Sequence, residues 1–156
     1  MKQLISILLV VIIFTSCTKR QRIENDLYGK KWNVTKYTII RFSGGNETYR
    51  GTADNVGSIT FENDDTFSVS MSGKLTETPQ QLAQSSVNVQ GTGKCEVYGS
   101  NEDEYDAKIN CEISSREYYS FYITKVSNKK MIFYDRTQYG SMFGDGYTIE
   151  WELEKD

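Results

Sequence analysis

The chain contains no histidine. That removes the Ser-His-Asp and Cys-His routes to an activated nucleophile, and it removes the commonest ligand of zinc and copper. Proline is almost absent, with Pro79 the single case. Cysteine occurs three times, at Cys17, Cys95 and Cys111, and the last two stand too far apart for a local zinc clip. No glycine-rich loop leads into a helix to hold phosphate, and no basic stripe offers a nucleic-acid footprint. Carboxylates remain. Glu102, Asp103, Glu104 and Asp106 crowd one turn, but the spacing and glycine of a calcium loop are missing, so they read as a solvated tip. The other acidic residues fall in turns or on polar strand faces, which offers no pair flanking a cleft. The sequence therefore predicts no catalytic residue, no metal and no cofactor.

The apolar content is also unevenly placed. Residues 4–14, LISILLVVIIF, form one greasy run behind Lys2. A bilayer-spanning helix takes about 20 apolar residues, so this run is short for a span and suits the h-region of a secretory signal peptide. Thr15 and Ser16 then precede Cys17, and the basic TKRQR follows. The stretch FTSC resembles the lipobox of bacterial lipoproteins, although Phe14 replaces the commoner leucine. The resemblance implies cleavage before Cys17, acylation of that cysteine by palmitate-like chains, and anchoring in the membrane. Each buried CH₂ contributes about 0.8 kcal/mol, and stable anchoring takes more than one chain. It also implies the outer membrane, because no acidic residue follows Cys17 directly, with the protein facing the periplasm. The expected organisation is a signal peptide over 1–16, a lipid-anchored tether over 17–26 and one domain over 27–156. Without residues 1–16 the chain keeps 17 basic residues, since only Lys2 is lost from 18, against 21 acidic ones. It is long enough for a substantial core.

Alternation of period two dominates that domain. WNVTKYTIIRF (32–42) places Trp32, Val34, Thr38, Ile40 and Phe42 on one side, with Lys36 intruding. SITFE (58–62) and TFSVSMSGK (66–74) flank the turn NDD (63–65) and form a hairpin. Further strands are predicted over 86–98, 105–113, 117–126, 131–137 and 146–155. Eight strands with short turns predict an all-β fold, an antiparallel up-and-down barrel. Helix is scarce: NDLYGK (25–30) suits one short turn. TPQQLAQSS (78–86) suits a two-turn helix capped by Thr78, the best lid over a barrel end.

Cys95 and Cys111 fall on the apolar face of adjacent strands. If partners sum to 206, Val97 meets Ile109 and Gly93 meets Ile113, so apolar meets apolar throughout. A non-hydrogen-bonded pair in that register suits a disulfide, worth about 3 kcal/mol in the chain-entropy treatment. The alternative is two buried thiols packed as small hydrophobes.

LYGKKWNVTKYT (27–38), GSITFENDDTFSVS (57–70), and KKMIFYD followed by YTIEWELEK resemble lipocalin-like bacterial lipoproteins. Lipocalins proper carry Gly-x-Trp, whereas two lysines separate Gly29 from Trp32 here. The resemblance implies a barrel with tryptophan across its closed end and a cavity opening at the other. A small apolar or amphiphilic ligand is then expected in the mouth, lined by Phe42, Phe67, Met71 and Tyr147. A second reading places an envelope protein on an outer aromatic face of Tyr118, Tyr122 and Tyr134.

Overall fold

The computed structural model describes residues 19–79, 85–100, 104–114, 117–125, 127–139 and 145–155, the side chains of 114, 117, 118, 136–139 and 145 excepted. Helix α1 covers 19–27. Nine strands follow: β1 (Lys30–Ser43), β2 (Asn46–Phe61), β3 (Thr66–Lys74), β4 (Thr76–Thr78), β5 (Ser86–Gly99), β6 (Ala107–Ser114), β7 (Glu117–Lys125), β8 (Lys130–Tyr139) and β9 (Asp145–Glu154). Apart from β4, each strand pairs antiparallel with the next long strand, and β9 returns to pair with β1. The result is the expected closed, eight-stranded, up-and-down barrel, which leaves no exposed edge among the long strands. The short β4 continues β3 past Leu75 and pairs with Arg50–Thr52 of β2.

The strands form where side chains alternate. In β3, Phe67, Val69 and Met71 are buried while Ser70 and Ser72 are not. In β9, Trp151 and Leu153 are buried while Glu150, Glu152 and Glu154 face outward. The NDD turn forms as predicted: Asp65 takes a positive φ, and Asp64 Oδ1 accepts hydrogen bonds from the Thr66 hydroxyl at 2.6 Å and its N–H at 3.3 Å.

One end of the barrel is filled. Trp32, Phe61, Val97, Ile109, Ile123, Met131, Phe133 and Leu153 are fully buried there. Phe133 packs against Phe61 and Phe121 at centroid distances of 6.1 and 5.9 Å, tilted as aromatic pairs prefer. Helix α1 lies across this end. Ile23 and Leu27, four apart and so on one helix face, both enter the core. Asp26 forms an ion pair with Lys125 at the end of β7, and Tyr28 bridges Phe61 at the end of β2. Gly29 ends the helix at φ +66°. The turn predicted over 25–30 is thus the tail of a longer helix, and residues 19–26, expected as tether, contribute a buried Ile23.

Two sequence expectations fail for local reasons. Thr78, expected as a helix cap, is the last residue of β4 and pairs with Arg50; residues 80–84 of the expected lid lie outside the described residues. In β1, pairing shifts between Val34 and Lys36 against both β2 and β9. A β-bulge adds one residue and reverses every side chain beyond it. Tyr37 and Ile39 therefore join the core face, and Thr38, Ile40 and Phe42 take the opposite phase. On β2 the same irregularity is met by Asn55 at φ +50° and Gly57 at φ +141°. A Cβ on Gly57 would lie 2.0 Å from the Ser70 carbonyl oxygen, so only glycine fits.

Candidate binding site at the far mouth of the barrel

At the end opposite α1, the inward positions change character. Ile39 of β1, Val89 of β5, Ile113 of β6, Tyr119 of β7 and Ile149 of β9 pack against the core but are only partly buried. Tyr147 shares the inward phase of Ile149 and Trp151 and pairs with Arg41. Glycines at this end let neighbouring side chains pack directly over the backbone. Gly51 pairs with Ile39, and Gly73 with Val87. The side chain of Ile113 lies over Gly91, where an added Cβ would sit 2.5 Å from its Cγ2. The mouth is thus a ring of apolar side chains that solvent partly reaches, above a solid floor.

Polar atoms on this ring are phenolic. Tyr49, Tyr119 and Tyr147 come within electrostatic reach of Tyr37. Burial, reinforced by those neighbours, pushes the Tyr37 phenol up to about 12. Burial also raises Tyr49, whose hydroxyl donates to Glu77 Oε1 at 2.8 Å. The Arg41 guanidinium lies 4.9 Å from the Tyr49 ring centroid, a cation–π contact at the rim. Beneath them Trp151 packs on Phe121 at 4.5 Å and Tyr119 at 6.2 Å. Its buried indole N–H has no hydrogen-bond partner among the described residues. These groups can orient a polar head, while the aliphatic ring can take an apolar body.

Of the residues named from sequence, Tyr147 stands at this mouth. Phe67 and Met71 face inward but are buried in the packed interior, Phe67 against Phe61 at 6.4 Å. Phe42 lies past the bulge with the opposite phase and pairs with Glu47 and Gly146, so it does not line the mouth. Tyr37, Ile39 and Tyr49 were missed. The first two were hidden by the bulge, and Tyr49 by a strand half whose inward partners, Gly51 and Ala53, are too small to signal alternation.

Cys95 and Cys111 pair in the expected register and carry free, buried thiols in this structure. Cys17 lies outside the described residues, as do Glu102 and Asp103. Among the described residues no group of His, Cys, Asp and Glu is arranged to hold a metal, and no helix is long and apolar enough to cross a membrane. On the outer surface Tyr122 packs against Tyr105 at 4.5 Å and Tyr134 at 5.4 Å, with Lys108 5.8 Å from its ring. The Tyr118 side chain lies outside the described residues. A hollow of about 440 Å³ adjoins Tyr134, lined also by Thr124, Ile132, Thr148 and Glu150.

Fold and site together define a closed, eight-stranded antiparallel barrel, compatible with a lipocalin-like fold, plugged by a helix at one end and rimmed with tyrosine at the other. The chain matches no family model, no curated protein and no solved structure.

Proposed function

We propose that this protein is a lipid-anchored envelope protein whose lipocalin-like barrel binds a small amphiphilic molecule without catalysis. The carrying observation is the set of inward side chains at the end opposite α1, Ile39, Val89, Ile113, Tyr119 and Ile149, that stay only partly buried beside the buried Tyr49, Leu75 and Val87. The apolar part of the ligand would cover these side chains, at about 25 cal/mol per Å² of apolar surface removed from water. The phenols and Arg41 would hold its polar group. The anchor rests on the FTSC stretch at Cys17, with the periplasmic face of the outer membrane as the site of action.

Titration of the intact chain with a fluorescent fatty-acid probe tests this reading. Saturable binding is expected, and Ile149→Lys, which puts a charge into the ring, should weaken it at least about tenfold. Ile40→Lys, on the opposite face of the same sheet, should leave it unchanged. Absence of saturable binding, or equal effects of both variants, overturns the proposal.

A second reading has one specific support. The Tyr105–Tyr122–Tyr134 stack beside an open hollow offers an outer aromatic face to an envelope protein. Crosslinking in intact cells to a partner that is lost on Tyr122→Ser and Tyr134→Ser, with probe binding retained, would favour it.

A further inference from the structure

We infer that Cys95 and Cys111 form a thiol–disulfide exchange site, entered from a hollow beside α1, in which Cys95 is the attacking thiol and Cys111 the resolving one. The inference is independent of ligand binding at the far mouth.

Cys95 and Cys111 are direct cross-strand partners on β5 and β6. The Cys95 N–H donates to the Asp65 carbonyl at 2.7 Å, toward β3, so no hydrogen bond from it is spent on β6. The two cysteines are therefore a non-hydrogen-bonded pair, the class in which opposite side chains approach closest, with Cα atoms about 4.5 Å apart. That lies inside the disulfide window of about 4.4–6.8 Å. The two thiols lie close enough for each to shift the other's ionisation. Both strands can stay in place while the bond forms.

Position separates the two residues, although both side chains are buried, Cys95 at 3% and Cys111 at 2% exposure. Cys95 forms part of the wall of a hollow of about 440 Å³ bounded by Arg20 and Tyr28 on the α1 side and by Asp65, Lys94 and Glu96 on the barrel side. Cys111 does not line it. The environment separates them in the same sense. The hydrogen bond from Cys111 draws the Cys95 thiol below its ordinary value, and the Tyr28 hydroxyl acts the same way, against burial and the charges of Asp65 and Asp64. Burial and the neighbouring Cys95 hold Cys111 well above that value. An attacking thiol must meet the oxidant first, and that role falls to Cys95, the member of the pair that lines the hollow.

The chemistry balances with a disulfide as oxidant, either a small one such as glutathione disulfide or a protein's. Cys95 loses its proton, and its thiolate attacks one oxidant sulfur; a mixed disulfide forms and one thiolate leaves. Cys111 then loses its proton and attacks the Cys95 sulfur. The Cys95–Cys111 bond forms, and the second oxidant thiol leaves. Two protein thiols give up two electrons and two protons in total, and one external disulfide becomes two thiols.

The test equilibrates the full chain in glutathione buffers of stepped redox poise, followed by acid quenching and peptide mapping, which also keeps Cys17 distinct. A single reversible two-electron transition joining the Cys95 and Cys111 peptides is expected. With glutathione disulfide, folded Cys111→Ser should trap a mixed disulfide at Cys95 at least about tenfold faster than Cys95→Ser forms one at Cys111. Cys111→Ala and Cys95→Ala carry the same comparison if the serine variants fail to fold by circular dichroism. Equal rates, the reverse order, or a joined peptide that appears only in denaturant overturns the assignment.

Discussion

Glu152 shows how one side chain ties three strands on the polar face. It sits on β9 between Lys130 of β8 at 2.8 Å and Lys36 of β1 at 3.5 Å. The hydrogen bond from Lys130, with the charges of both lysines, holds its carboxyl below the usual carboxylate value against a smaller opposing effect of burial. A carboxylate depressed on folding contributes stability above its unfolded pKa of about 4.3, and that contribution is lost as pH falls through the lower folded value. Both lysines are well exposed, so solvent screening limits the effect to no more than about 1 kcal/mol. Urea denaturation from neutral to acid pH should show wild type exceeding Glu152→Gln by that margin at pH 7. The gap should stay flat to about pH 5 and close below about pH 4. A gap that widens in acid would contradict this assignment.

Among the elements, the strands with clean alternation were legible and the irregular ones were not. Val97 opposite Ile109 and Cys95 opposite Cys111 follow the register read from sequence, because inward apolar partners leave no other pairing that buries both. The first half of β2 was invisible, since Gly51 and Ala53 mark its inner face with almost no side chain. The bulge at Val34/Lys36 carries no residue signature of its own; Lys36 interrupting the apolar face was its one trace. Helix α1 was read short because only Ile23 and Leu27 repeat at helical spacing, and the basic residues around them suit a tether equally well. The structure gives α1 a load it can be tested on. Leu27 is fully buried beneath it, so Leu27→Ala should cost about 2–5 kcal/mol in denaturant unfolding. Arg22→Ala, exposed on the same helix, should cost less than about 0.5 kcal/mol. Similar small costs for both would mean that the helix does not seal the barrel.

For the molecule as a whole, the two ends divide the work. Strand pairing all the way round, closed by β1 with β9, fixes the inward and outward faces of every strand. Aromatic packing beneath α1 supplies the rigid core, and the opposite mouth keeps apolar surface within reach of solvent. The sequence carried the barrel through its period-two alternation. It did not carry the mouth, because which residues reach the rim depends on a phase reversal that only the paired strands reveal. Of the four residues named for the mouth, Tyr147 alone stands there, since β9 is regular from end to end. The isoleucines report on this division directly. Ile39, Ile113 and Ile149 ring the mouth, Ile23, Ile59, Ile109 and Ile123 lie in the sealed core, and Ile40 and Ile132 face outward. Methyl NMR of the isoleucine-labelled chain during titration with a fatty acid should shift the first group saturably and leave the other two in place. Shifts confined to Ile132 and its outer neighbours, or no saturable shift in any isoleucine, would contradict the account.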